Sequence, residues 1–124
     1  GLSMTILAIR DAVYFPDEGI GEPGSPRRDD NNPDPALQDR LLVGLELLAD
    51  YRWTGKRWEG KIYDPASGNT YSSRMELDGN RLKMRGYIGM PMLGRTRHFD
   101  RVESCEARVA EMAAASKVEL ALCD

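Results

Sequence analysis

The sequence contains little histidine or cysteine, the residue types on which many active sites and most structural metal sites depend. Of 124 residues, one is histidine, His98, and two are cysteine, Cys105 and Cys123. A histidine base needs a nearby nucleophile and an orienting carboxylate, and the cysteine spacing matches neither a zinc motif nor a redox pair. We therefore expect no catalytic residues, no metal and no cofactor, and an enzyme is the least favoured function.

Long apolar runs and an excess of basic residues are also missing. No stretch of about 18 apolar residues exists, so a transmembrane segment is not predicted. Residues 1–10 lack the basic flank and cleavage site of a signal peptide. Lys and Arg number 17 against 20 Asp and Glu, a net charge of −3, which argues against a nucleic-acid partner. The length predicts a single domain over residues 1–124.

Alternating sequence patterns predict a mainly β domain over residues 4–102. Residues 4–15 have the β-branched and aromatic content of a strand, and residues 16–34, dense in proline and glycine, predict a long surface loop. Four alternating segments follow, separated by Asp-Pro and Asp-Gly turns and by a loop at 89–94. We expect them to pair in sequence order as an antiparallel meander, with strands at about 57–63, 70–77, 81–88 and 95–101.

Helices are predicted at two places. Asp34 followed by Pro35 has the pattern of an N-cap and a first helical residue, which predicts a short helix near 35–41. The apolar stretch at 41–48 should be buried, although its periodicity does not distinguish a helix from a strand. Residues 103–122 contain six alanines and neither proline nor glycine, which predicts a C-terminal α-helix.

This C-terminal helix limits what the two cysteines can do. If Cys105 and Cys123 both lie on it, about 27 Å separates them at a rise of about 1.5 Å per residue. That distance is too long for a disulfide within the helix. We therefore expect two free thiols, with an intermolecular disulfide as the alternative.

A series of local motifs resembles a known bacterial family. In chain order they are Asn31-Asn32-Pro33-Asp34-Pro35-Ala36-Leu37 with Arg40 and Gly44-Leu45, Trp58–Pro65 with Gly68, Thr70 and Tyr71, Leu82–Gly89, Gly94-Arg95-Thr96, and Arg101-Val102. Over about residues 5–102 the chain resembles the family designated domain of unknown function 2147. The resemblance implies a lipocalin-like β domain, usually exported to the bacterial cell envelope, and it implies no catalytic residues.

The chain departs from that family at its start and in its last strand. Family members usually open with a Gly-x-Trp strand, which has no counterpart before Ile6, and Phe99 stands where the last strand usually carries Trp. A sheet without its opening strand has an exposed edge, and such edges pair with other chains. We therefore expect a lipocalin-like partial β-barrel that forms a homodimer, or a monomer whose helix 103–122 closes the barrel. Localisation stays open between the periplasm or envelope and the cytoplasm.

Three functional hypotheses follow, and the first is preferred. A small barrel can hold one ligand, so we expect a non-catalytic module that binds a small apolar molecule or a component of the cell envelope. The second hypothesis is a structural protein that assembles through its sheet edge or its helix, and the third is an enzyme of unrecognised type. The aromatic side chains expected to line a ligand cavity are Trp53, Trp58, Tyr63, Tyr71, Tyr87 and Phe99.

Overall fold

Five consecutive strands form one antiparallel sheet in the computed structural model, which describes residues 2–88 and 94–123. The strands are β1 (Leu48–Trp53), β2 (Trp58–Asp64), β3 (Asn69–Asp78), β4 (Arg81–Tyr87) and β5 (Arg95–Asp100). Each strand pairs with the next one along the chain. Since β1 and β5 each pair with a single named strand of the described chain, the sheet is open, and the expected mainly β, antiparallel architecture is confirmed.

The chain divides into two compact units. The first consists of Gly1–Met4 with Leu47–Arg101 and contains the whole sheet. The second consists of Thr5–Glu46 with Val102–Asp124 and contains the long loop region and the C-terminal helix. The expectation of a single domain over residues 1–124 stays a prediction.

The four predicted strands of the meander are confirmed, and turn chemistry explains where they end. Between β2 and β3, the Asp64 carboxylate accepts hydrogen bonds from the Ala66 amide at 3.0 Å and from the Ser67 hydroxyl at 2.8 Å. Between β3 and β4, Gly79 takes a φ of +62°, which glycine adopts without strain. Residues 89–93 of the predicted loop lie outside the described residues.

Strand β1 was not predicted from the alternation of apolar and polar residues, because a β-bulge interrupts it. Its register against β2 shifts between Ala49 and Arg52, and Asp50 takes a φ of +59° at this point. The extra residue reverses the alternation of side chains along the strand. Leu48 before the bulge and Trp53 after it therefore project from the same face of the sheet.

The two faces of the sheet differ in chemistry. Alternate residues build an apolar face, whose buried core is Ile62, Met75 and Met84, with Leu48, Tyr51, Trp58, Tyr71 and Leu82 among those packed against it. The other residues build a charged face, which carries Arg52, Glu59, Lys61, Arg74, Glu76, Lys83, Arg85 and His98. Because burial of apolar area drives folding, the apolar face holds the first unit together.

A glycine in β2 lets an aromatic ring lie against the apolar face. A Cβ placed on Gly60 would come within 2.5 Å of the Tyr51 ring and 2.8 Å of the Tyr51 Cα. The Tyr51 hydroxyl is hydrogen-bonded to the hydroxyl of Ser73, which is buried. Burial raises the pKa of Tyr51 to about 12. The position beneath the ring therefore requires glycine.

Replacing Gly60 with alanine should lower the free energy of unfolding by about 2 kcal/mol, because the Tyr51 ring must move and its hydrogen bond is disturbed. Gly86 is the matched control, since it lies in the same row of the sheet, directly opposite Ser73. A Cβ on Gly86 would meet the Tyr71 Cβ at an ordinary 3.9 Å. Urea denaturation should show little change for Gly86→Ala, and equal losses for the two variants would contradict this account.

The described residues of the second unit form isolated β-bridges and no β-strand. The bridges are Thr5 with Glu46, Val13 with Pro26, and Arg28 with Leu41. The predicted strand over 4–15 is therefore wrong. Residues with strand propensity form a strand only when they pack against a paired neighbour. Residues 4–15 meet such a neighbour only at isolated positions, Thr5 and Val13, so no continuous strand forms.

Residues 16–34 have little regular structure, as predicted, but they do not run wholly over the surface. Asp29 is fully buried, and Asn32 is buried beside it. The Asp29 carboxylate accepts hydrogen bonds from the Arg40 guanidinium at 2.8 Å and from the Asn32 side-chain amide at 2.9 Å. A buried charge is tolerated when it is paired in this way, so the ion pair between the buried Asp29 and the exposed Arg40 organises the loop.

The predicted N-cap is confirmed. The Asp34 carboxylate accepts a hydrogen bond from the Ala36 amide at 3.0 Å, at the start of a 3-10 helix over Pro35–Leu37. This helix is shorter than the predicted 35–41. In the apolar stretch that follows, Leu45 is buried but Leu41 is 45% exposed, so burial of 41–48 is correct only in part.

The predicted C-terminal helix over 103–122 is wrong at both ends. The helix, α1, spans Ala107–Ser116, and the next residue, Lys117, takes left-handed backbone angles of φ +55° and ψ +43°. The Lys117 amide bonds back to the Ala113 and Ala114 carbonyls. A left-handed residue with these bonds ends a helix, and here it does so without the glycine that would have marked the position.

The chain reversal after α1 brings the two cysteines together. Cys105 precedes α1, and Cys123 ends a 3-10 helix over Ala121–Cys123. The two residues form a disulfide, with their Cα atoms 4.9 Å apart. The expectation of free thiols or an intermolecular bridge is therefore wrong, because it placed both cysteines on one continuous helix.

Candidate ligand-binding site

A cleft of about 440 Å³ lies on the apolar face, at the end of the sheet where β1 meets β2. The bulge in β1 turns Trp53 toward this face, beside Trp58 of β2. The chain also returns here at its start, since the Leu47 amide donates to the Met4 carbonyl at 2.8 Å. The described lining residues are Leu2, Ser3, Met4, Leu48, Trp53, Lys56, Trp58, Met75, Glu76, Leu77 and Leu82.

The walls of the cleft are mostly apolar, and two tryptophans form one of them. The rings of Trp53 and Trp58 lie edge to face, with their centroids 5.6 Å apart and their planes at 61°. Trp53 is 55% exposed and Leu77 is 72% exposed. Large apolar side chains left open to water around a concavity are typical of a site that receives an apolar partner.

A tight turn fixes the two tryptophans relative to each other. The Thr54 hydroxyl oxygen accepts hydrogen bonds from the Lys56 and Arg57 amides, at 3.4 and 3.3 Å. Gly55 takes a φ of +100° in this turn, where a side chain would be strained. The turn also places Lys56 among the residues that line the cleft.

The carboxylate among the lining residues belongs largely to the other side of the sheet. Strand alternation directs Glu76 to the charged face, where its Oε1 lies 4.0 Å from the Lys83 Nζ. Among the described residues, Lys56 is therefore the charged side chain with the clearest access to the cleft. Its position suits a ligand that is apolar along most of its length.

Two of the six aromatic residues predicted to line a cavity, Trp53 and Trp58, are brought together by the cleft. Tyr71 lies on the same face but packs against the core. Hydrogen bonds with Ser67 and Asn69 hold its hydroxyl near the β2–β3 turn and lower its pKa. It therefore belongs to the framework of the sheet.

The other three aromatic residues lie away from the cleft. Phe99 is on the apolar face of β5, opposite Leu82 and 40% exposed, and it does not line the cleft. Strand alternation places Tyr63 and Tyr87 on the charged face. The ligand-binding role assigned to the six residues stays a prediction.

The sequence reasoning missed the aliphatic lining. Met75 lies directly opposite Trp58 in the pairing of β2 with β3. Leu77 and its partner Leu82 in β4 point to the same side of the sheet, so all three residues face the cleft. The signal was available, since alternation within each hairpin places these residues on one side. The contribution of residues 2–4 had no such signal, because it depends on a bond between chain segments far apart in sequence.

Residues 2–88 and 94–123 contain neither a cluster of metal ligands nor a membrane-spanning helix. No group of three or more His, Cys, Asp or Glu side chains is placed there to hold a metal ion. No helix in that part of the chain is long and apolar enough to span a membrane.

A solved structure with a similar fold is protein HP1028 from the human pathogen Helicobacter pylori, which is described as belonging to the lipocalin family. The two chains share 26% sequence identity with a TM-score of 0.58. The match covers 76% of this chain and 63% of that chain, so this chain spans less than two thirds of the similar protein. A search of curated proteins finds no match.

The family comparison covers most of the chain. The sequence model described as an uncharacterized protein conserved in bacteria, DUF2147, matches residues 2–101. The matched region includes the whole sheet, the tryptophan cleft and the Asp29–Arg40 ion pair. The chain is a member of the bacterial family DUF2147, and its fold is lipocalin-like.

Proposed function

We propose that the chain is a non-catalytic binding module that holds a small apolar molecule in the tryptophan cleft. The observation that carries the proposal is the cleft itself, an apolar concavity of about 440 Å³ on an open sheet. Ligand pockets usually have volumes of about 300–1,000 Å³ and apolar walls with a few polar groups. The lipocalin-like fold supports the proposal, although a fold alone does not determine function.

The chemistry of the cleft favours a neutral or weakly polar molecule with an apolar body. Its aromatic wall offers edge and face contacts to rings and alkyl chains, and the side chains of Leu48, Leu77 and Leu82 supply aliphatic surface. The ligand would gain most of its affinity from removal of apolar area from water, at roughly 25 cal/mol per Å². Lys56 then orients whichever polar group the ligand carries.

Removal of Trp53 should weaken binding of a neutral apolar probe, such as N-phenylnaphthylamine, by about ten-fold, because one aromatic wall is lost. Trp53 is 55% exposed, so Trp53→Ala should fold normally. Probe fluorescence measures the affinity directly, and the quenching of Trp58 provides a second signal from within the cleft.

Phe99→Ala is the matched control for this experiment. Phe99 is an exposed aromatic residue on the same face but outside the cleft lining, so its removal should change the affinity less than about two-fold. An equal loss in both variants would mean that the probe binds the exposed apolar surface in general. Undiminished binding by Trp53→Ala would place the ligand elsewhere.

A second candidate function is assembly through the edge of the sheet. Most of β5 is exposed, and its outer edge faces no named strand of the described chain. Such an edge is a template for pairing with another chain, and closed two-fold dimers are the commonest assembly of this kind. We infer a homodimer through β5 on this basis. Light scattering at micromolar concentration tests it, and a monomer mass that persists on concentration would rule it out.

The disulfide favours an oxidising compartment, such as the bacterial periplasm, as the place where the module acts. Disulfides form and persist in such compartments and are rare in the reducing cytosol. The Cys105–Cys123 bridge closes the second unit around α1. Thiol labelling of the protein recovered from each compartment tests the inference, since the proposal requires both thiols to be blocked in the native location.

A further inference from the structure

The centre of the charged face holds two arginines side by side. Arg74 of β3 lies directly opposite Arg85 of β4 in the register, and Lys83 is the next residue of β4 on the same face. Cβ atoms of directly opposite residues are about 4.5–5.5 Å apart, and like charges in such a pair destabilise a sheet. Glu59 of β2 lies opposite Arg74 on its other side, and Glu76 lies opposite Lys83, so carboxylates flank the arginine pair in the sheet.

A cavity of about 150 Å³ lies among these cations. It is lined by Arg74, Glu76, Lys83, Arg85 and Thr96. The strand register explains the grouping, because Arg74, Arg85 and Thr96 form one row across three strands, and Glu76 and Lys83 form the next row. The cavity lies on the opposite face of the sheet from the tryptophan cleft, and Glu76 is the one described residue that lines both.

The side chains around the cavity are partly fixed in position. The Arg85 Nη1 donates a hydrogen bond to the Thr96 Oγ1 at 2.7 Å, which orients the guanidinium and leaves the Thr96 hydroxyl hydrogen available to a ligand. Lys83 Nζ lies 4.0 Å from Glu76 Oε1, a loose ion pair. Arg74 is half-buried, and among the described residues no carboxylate forms an ion pair with it.

We propose that this cavity is a binding site for a phosphate group. Among the residues that line the cavity, Arg74, Lys83 and Arg85 carry three positive charges and Glu76 carries one negative charge, an excess that suits a phosphate anion. Guanidinium groups bind phosphate oxygens through two parallel hydrogen bonds, and a lysine adds a point charge. The phosphate is either a free anion or the terminal group of a small organic molecule.

The test is isothermal titration of the chain with inorganic phosphate and with glycerol phosphate at pH 8, against chloride at equal ionic strength. We expect phosphate to bind and to raise the melting temperature beyond the chloride control. Arg74→Gln should weaken phosphate binding at least about ten-fold, because it removes charge-assisted hydrogen bonds. Arg74→Lys should bind phosphate with an intermediate affinity, because lysine keeps the positive charge but cannot donate the two parallel hydrogen bonds of a guanidinium group.

Arg52→Gln is the matched control, because Arg52 is an exposed arginine on the same face but outside the cavity. Its affinity for phosphate should stay within about two-fold of that of the unaltered chain. Without phosphate, Arg74→Gln should melt close to the unaltered chain, because it relieves the like-charge contact with Arg85 but also removes the opposite-charge neighbour of Glu59.

The two phosphate compounds distinguish the sources of the ligand. Tighter binding of glycerol phosphate than of inorganic phosphate assigns the cavity to a phosphorylated organic molecule, and equal affinities assign it to the free anion. If neither compound binds above the chloride background, or if Arg52→Gln weakens binding as much as Arg74→Gln, there is no phosphate site. Loss of binding at the tryptophan cleft would leave these results unchanged, since the two sites lie on opposite faces.

Discussion

Asp29→Ala is expected to lower the free energy of unfolding by about 3 kcal/mol, among the largest effects of any single substitution in this chain. The Asp29 carboxylate is fully buried and accepts hydrogen bonds from Arg40 and Asn32. Its removal leaves the buried Asn32 amide without its acceptor. The loss falls at the lower end of the range for buried ion pairs, because the Arg40 side chain is 40% exposed and can regain water.

Urea denaturation measures this effect, and Asp39→Ala is its matched control. Asp39 lies next to Arg40 in sequence and is exposed, so its loss should change stability by less than about 0.5 kcal/mol. A cycle with Arg40→Ala and the double variant should give a coupling energy above about 1 kcal/mol. Additive losses would mean that Asp29 and Arg40 do not act as a pair.

Removing the disulfide should cost about 3 kcal/mol, because the bridge closes a loop of 19 residues and restricts the unfolded chain. The double variant Cys105→Ser with Cys123→Ser avoids a free thiol. α1 has 10 residues, a length at which an isolated helix is marginal in water. We therefore expect the amides of α1 to exchange with solvent much faster in the variant than in the oxidised chain.

Reductant provides the control for the disulfide experiment. The unaltered chain in dithiothreitol should become as unstable as the double variant, and the double variant should not respond to it. The oxidised chain should run as a monomer on a denaturing gel without reductant. A covalent dimer on that gel, or two thiols that react freely after denaturation, would contradict an intramolecular bridge.

The meander could be predicted from sequence because every step of it is local. Strand alternation sets the faces, and Asp64 and Gly79 mark turns through short-range chemistry that appears in the sequence as Asp-Pro and Asp-Gly. β1 could not be predicted in the same way. Its bulge at Asp50 reverses the alternation, so the apolar residues before and after it do not follow a period of two.

The C-terminal segment was mispredicted for a related reason. Helix propensity identified the region of α1 correctly, but the helix ends at Ser116 through a left-handed Lys117. A lysine in the sequence does not predict a left-handed helix end, because glycine is the usual residue at that position. The disulfide depends on that reversal, so one missed turn also gave the wrong expectation for both cysteines.

The candidate site was predictable in part. The two tryptophans were identified from their chemistry, and a short turn in sequence brings them together. Strand alternation alone could have excluded Tyr63 and Tyr87 from the cleft, because it places both residues on the opposite face of the sheet from Trp58. The phosphate cavity needed the register between strands, because Arg74 and Arg85 become neighbours only when β3 and β4 are aligned.

Methyl NMR of the chain during titration with a neutral apolar ligand tests the central proposal most directly. Methionine and leucine methyl groups are present in the cleft, at Met75, Leu77 and Leu82, and in the second unit, at Met112. We expect saturable shifts for the three cleft residues and none for Met112. Saturable shifts at Met112 with an unchanged cleft, or no shifts for any ligand of this class, would contradict an apolar binding site between the tryptophans and the sheet.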